Sequence, residues 1–107
     1  MTDAELTKNA KKLLNAIYKT YKKRIKDGDT IERACQFKIG ELQAIAKQLG
    51  WKNEDAFTVE NELGKAGLIN PFSLYTFDLN TNGIAYMENR WKRQIKNTIE
   101  WIVSLLK

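Results

Sequence analysis

Between Phe37 and Leu79 apolar residues twice recur with helical spacing, a glycine stops each run, and a stretch of β-forming residues follows. Few small folds accept that order. In the first run Ile39, Leu42, Ile45, Ala46 and Leu49 share one face and Gly50 ends the helix. In the second, Ala56, Val59, Leu63 and Ala66 share a face and Gly67 ends it. Trp51-Lys52-Asn53 makes the turn between them, with Asn53 the expected N-cap and Glu54 and Asp55 suited to the positive end of the helix dipole. Leu68-Ile69 then starts a strand, Asn70-Pro71 is the expected turn, and Leu74-Tyr75-Thr76-Phe77-Asp78-Leu79 returns. The hairpin tip is therefore expected at Pro71-Phe72-Ser73, with no positive charge.

Longer helical patterns flank this unit. Leu6, Ala10, Leu13, Leu14, Ile17, Tyr21 and Ile25 form one apolar stripe, Lys8, Lys11, Lys12, Lys19, Lys22 and Lys23 fill the other faces, and Gly28 is the natural stop. Thr2 and Glu5 have capping-box spacing, so this helix is expected over residues 1–27. Residues 29–36 carry a weak pattern and read as an extended connector that adds one β bridge to the hairpin. At the other end Thr81 is the expected cap of a helix opening at Asn82-Gly83. Its apolar positions Ile84, Met87, Trp91, Ile95, Ile99, Ile102 and Leu106 continue almost to the last residue.

The order helix, turn, helix, β hairpin, helix resembles the winged helix-turn-helix superfamily, including repressors of the MarR and PadR type. Two short strings carry the resemblance, Lys65-Ala66-Gly67-Leu68-Ile69 and Asn80-Thr81-Asn82-Gly83-Ile84-Ala85-Tyr86-Met87-Glu88. It implies a single domain over 1–107, mainly α with a small β wing (α+β): a long N-terminal helix (1–27), a winged core (37–88) and a C-terminal helix (89–107). It also implies that the exposed face of the second core helix, with Glu54, Phe57, Thr58, Asn61, Glu62 and Lys65, meets the DNA major groove. Small bacterial or prophage proteins share this build.

The chemistry of the chain points away from an enzyme. It has no histidine, which removes Ser-His-Asp and Cys-His arrangements, HExxH zinc sites and an imidazole general base. Neither GxGxxG nor GxxxxGK[ST] occurs, and no cofactor or metal is expected. Cys35 is the only cysteine and reads as a small core residue. No secretory leader pattern and no apolar run near the ~18 residues of a membrane span is present, so a cytoplasmic protein without membrane contact is expected.

Charge divides the chain sharply. Residues 1–26 hold eight Lys and Arg against two carboxylates, and residues 84–107 hold five against two. Residues 51–83, which include the second core helix and the hairpin, hold two against five. Phosphate neutralisation supplies most non-specific affinity for nucleic acid, so cations on the terminal helices are as strong a candidate footprint as the core helix. Candidate DNA contacts are therefore Thr58, Asn61 and Lys65 together with Lys19, Lys22, Lys23, Arg90, Lys92 and Arg93. The lysines also read simply as a solvated face unless they join the C-terminal cations in one patch. Phe57, off the apolar stripe, either packs under Trp51 or the last helix or serves as an exposed anchor.

The expected function is non-enzymatic DNA binding or transcription control, with weak electrostatic DNA contact. The alternative is a protein-interaction module on the same scaffold without sequence-specific DNA binding. An excess of apolar residues near the C-terminus, Ile99, Trp101, Ile102, Leu105 and Leu106, suggests a homodimer paired through the last helix.

Overall fold

The computed structural model describes residues 6–73 and 76–90. In chain order the elements are α1 (Lys8–Lys26), α2 (Ile31–Ala34), β1 (Gln36–Phe37), α3 (Ile39–Leu49), α4 (Asn53–Lys65), β2 (Ile69–Ser73) and β3 (Thr76–Leu79), followed by helix over 81–90. The three strands form one antiparallel sheet in the order β1-β3-β2. The fold is mainly helical with a small β component, as expected.

Leu13, Leu14 and Ile17 of α1, Leu42 and Ala46 of α3, and Ala56 and Leu63 of α4 are fully buried, so the helical stripes meet in one core. The sheet closes it. Along β3 Phe77 and Leu79 point inward while Thr76 and Asp78 are partly exposed, the alternation a pleated strand imposes. Phe77 pairs in register with Phe37, and their rings stack with centroids 5.1 Å apart and planes 2° from parallel. The stripes run slightly narrower than their periodicity suggests: Ile25 and Ile39 are exposed.

Several expected helix caps are displaced. α1 starts at Lys8, not Thr2: Thr7 is extended and its hydroxyl accepts from the Ala10 N–H at 3.1 Å. The N–H and hydroxyl of Thr7 in turn donate to the Glu62 carboxylate of α4, at 3.2 and 3.0 Å. The Thr2 and Glu5 pair lies outside the described residues. Asn53 is the first residue of α4 and not its cap; Lys52 precedes the helix and its side chain makes no capping bond. α3 and α4 both end as expected, at Gly50 (φ 74°) and Gly67 (φ 78°). There the Trp51 N–H reaches the Ala46 carbonyl at 2.8 Å and the Leu68 N–H reaches the Leu63 carbonyl at 3.1 Å, a left-handed helix close that costs a glycine little.

Two further expectations are corrected. The connector is not wholly extended: Thr30 caps a single turn, α2, before Gln36 and Phe37 pair with β3. Nor is Pro71 at the hairpin tip. It lies inside β2, opposite Phe77, and the strand continues to Ser73. Proline is tolerated because β2 is an edge strand, where a missing N–H removes no ladder bond from a second neighbour. The register shifts between Pro71 and Ser73, leaving Phe72 as the extra residue of a bulge, 69% exposed.

Candidate functional site

The exposed face of α4 contributes little positive charge. Thr58, Asn61 and Lys65 are exposed and, at spacings of three and four, lie on one face with Glu54. The Thr58 hydroxyl is already committed, donating to the Glu54 carbonyl at 3.1 Å. Glu62 is committed as well, to Thr7. Phe57 is half-buried and packs against the core. Glu60, not among the candidates read from the sequence, is 6% exposed, with its carboxyl pushed up from the usual range by burial. Its position, four residues after Ala56 and three before Leu63, was the available signal, since that spacing places it beside the apolar stripe.

Cations gather instead between α1 and the helix over 81–90. Lys8, Lys11, Lys12, Asn15 and Lys19 of α1 line a cleft of about 450 Å³ together with Met87 and Arg90. None of these seven residues is acidic. The α1 members recur at the helical period, on the face away from the buried Ala10, Leu13, Leu14 and Ile17. Met87 is 1% exposed, and its burial in the core brings the turn carrying Arg90 alongside α1. Ammonium and guanidinium groups in a concave wall reinforce one another's potential and attract anions. Arg90 adds a planar fork suited to two phosphate oxygens at once.

The expected candidates thus separate. Lys19 and Arg90, about 70 residues apart in sequence, line one cleft. Lys22 and Lys23 are exposed one turn further along α1, and the Lys22 ammonium lies 5.5 Å from the centre of the Tyr18 ring. Thr58, Asn61 and Lys65 do not line the cleft. Lys92 and Arg93 lie outside the described residues, as do Ile99, Trp101, Ile102, Leu105 and Leu106. Lys8, Lys11 and Lys12 join the cleft without being among the candidate contacts; the signal for them is a lysine on nearly every turn of one helix face.

Elsewhere the described residues offer little reactive chemistry. Cys35 is buried, with its thiol pushed up first by burial and then by the charge of Asp78, which holds it in the un-ionised, unreactive form. No group of three or more Cys, Asp or Glu among the described residues could hold a metal ion, and no described helix is long and apolar enough to cross a membrane. Comparison with known proteins yields no matching family model, curated protein or solved structure.

Proposed function

We propose that this chain is a non-enzymatic, winged-helix-type protein that binds DNA through electrostatic contacts and acts in association with transcription. The observation that carries the reading is the single-sign cleft formed by Lys8, Lys11, Lys12, Lys19 and Arg90. The element order and the β1-β3-β2 sheet support the winged-helix part of it, because α3 and α4, joined through three residues, stand before a hairpin packed on α4. Fluorescence anisotropy with a random-sequence duplex over a salt series is the test. Dissociation constants on the order of 10⁻⁴ to 10⁻⁶ M at physiological salt, weakening steeply as salt rises, are expected. Absence of binding even at ~50 mM salt would sink the proposal.

A second reading, a protein-interaction module, is favoured by one feature. Phe72 is 69% exposed on the edge strand β2, whose outer side offers strand-pairing groups to a partner. Phe72→Ser abolishing capture of a partner while leaving DNA titrations unchanged would support it. The homodimer keeps its basis in the apolar residues Ile99 to Leu106 and is part of the proposal. Sedimentation equilibrium of the full chain at tens of micromolar tests it, and the 12.4 kDa mass of a monomer would refute it.

A further inference from the structure

We infer that the ligand of the α1 cleft is one phosphodiester strand of a nucleic-acid duplex, followed along α1 without base readout, and that α4 takes no part in binding it. The inference rests on the DNA-binding reading above and specifies its site and partner form.

Lys8, Lys12 and Lys19 are separated by four and seven residues, so they stand on one face and span about 16 Å of helix axis at ~1.5 Å per residue. One strand of a duplex presents a phosphate every ~3.4 Å of its axis, so about five phosphates lie opposite that span. Five cations among the described residues line the cleft. A cleft of about 450 Å³ admits a ridge of sugar and phosphate but not the width of a duplex.

Proteins that hold single strands interleave cations with exposed aromatic rings, each stacked base contributing ~1–3 kcal/mol. Among the described residues no aromatic side chain lines this cleft, and the uncharged ones there are Asn15 and the buried Met87. Tyr18 is 6% exposed and its ring stacks on Tyr21 with centroids 6.0 Å apart, leaving it no open face for a base. Against these described residues a single strand would leave its bases in water, whereas a duplex has already stacked them. Among the described lining residues Asn15 alone offers a side chain with both a donor and an acceptor, too little to tell one base pair from another.

The α1 amino end is no independent phosphate site, because the Glu62 carboxylate already accepts from the Thr7 N–H. On α4, Glu54 shares the exposed face with Thr58, Asn61 and Lys65 and repels a phosphate strand there.

The experiment titrates the full chain against a duplex of ~20 base pairs and against a single strand of the same length, each over a salt series. The duplex is expected to bind at least ten-fold tighter, with a log–log salt slope no steeper than about −4.5, the limit for five neutralised phosphates. Lys12→Gln with Lys19→Gln should reduce the slope by about two and weaken binding more than ten-fold at ~0.1 M salt. Both side chains are exposed, so an unchanged thermal melt verifies the fold of that variant. Thr58→Ala with Asn61→Ala should leave both quantities within two-fold. If the α4 pair weakens binding and the α1 pair does not, or if the single strand binds as tightly as the duplex, the inference is wrong while DNA binding stands. If the unaltered chain binds neither probe, the DNA-binding reading itself is wrong and the inference falls with it.

Discussion

Gly83 is the residue whose identity is most tightly dictated. A Cβ built there would sit 2.3 Å from the Leu68 carbonyl oxygen and 2.7 Å from Leu79 Cδ1, so the helix over 81–90 can lie this close to the strands only without a side chain. Alanine normally improves a helix by ~1 kcal/mol over glycine; here overpacking against backbone should reverse the sign. Gly83→Ala is expected to destabilise by about 2–3 kcal/mol, measured as a lower urea midpoint. An equal or higher midpoint would show that the helix does not press on the strands. Asn80 explains the neighbouring residues. Its side-chain oxygen accepts from the Gly83 N–H at 2.9 Å, and its amide donates to the Gly67 carbonyl at 2.9 Å and to Asn70 at 3.0 Å. Asn80, not Thr81, is therefore the cap. Sequence marked the string Asn80 to Gly83 but could not choose between adjacent residues that can both cap, since the choice depends on where the Gly67 carbonyl lies.

Glu60 makes a second residue-scale prediction. Burial raises its carboxyl pKa, so the folded chain holds that proton more tightly than the unfolded chain does. Its contribution to stability is then fully present below the ordinary value of 4.5 and is lost as pH rises from there through the raised folded value. Glu60→Gln, which stays neutral, is expected to melt higher than the natural chain at pH ~7, with the difference closing toward pH ~4. Melting curves across that range decide it. A glutamine variant that melts lower at neutral pH would mean that the ionised carboxylate is itself stabilising.

Among the elements, α1 is held at both ends by groups that its apolar stripe does not reveal. At its start Thr7 binds Glu62. At its last turn the Arg24 guanidinium donates to the Gln36 carbonyl at 2.6 Å and the Ala34 carbonyl at 3.3 Å, pairs with Glu41, and lies 4.4 Å from the centre of the Phe37 ring. One side chain thereby joins α1 to α2, β1 and α3. Glu41 also accepts from the Lys38 N–H at 3.0 Å, so it caps α3 while holding Arg24. Arg24→Met is expected to destabilise by about 1–3 kcal/mol, because two carbonyls lose a charged donor. Arg24 and Glu41 side chains are 21% and 35% exposed, so solvent screens the ion pair itself. A double-mutant cycle with Glu41→Gln should return less than ~1 kcal/mol of coupling. A larger coupling would make the ion pair, not the carbonyl bonds, the main tie. Helical periodicity and terminal glycines made α3 and α4 readable from sequence. The single turn of α2 spans only Ile31–Ala34, too short for any period to register, and Pro71 looked like a turn because its tolerance depends on β2 being an edge strand.

For the whole molecule, charge and packing were decided at different levels. The sequence alone carries the helix periods, the glycine stops, the absence of histidine chemistry, and the placement of positive charge on the terminal segments with a net acidic centre. These are local or additive properties, carried by spacing within one element or by counting. It did not determine which cations stand together. Lys19 and Arg90 come to one cleft because Met87 and Gly83 seat the helix over 81–90 against the core, an arrangement no period within either helix encodes. Nor did it determine that Glu62, expected on an exposed face, is spent on capping α1, or that Glu60 is buried. A carboxylate's surroundings are set by side chains tens of residues away, and only the folded chain brings those within hydrogen-bonding or desolvating distance.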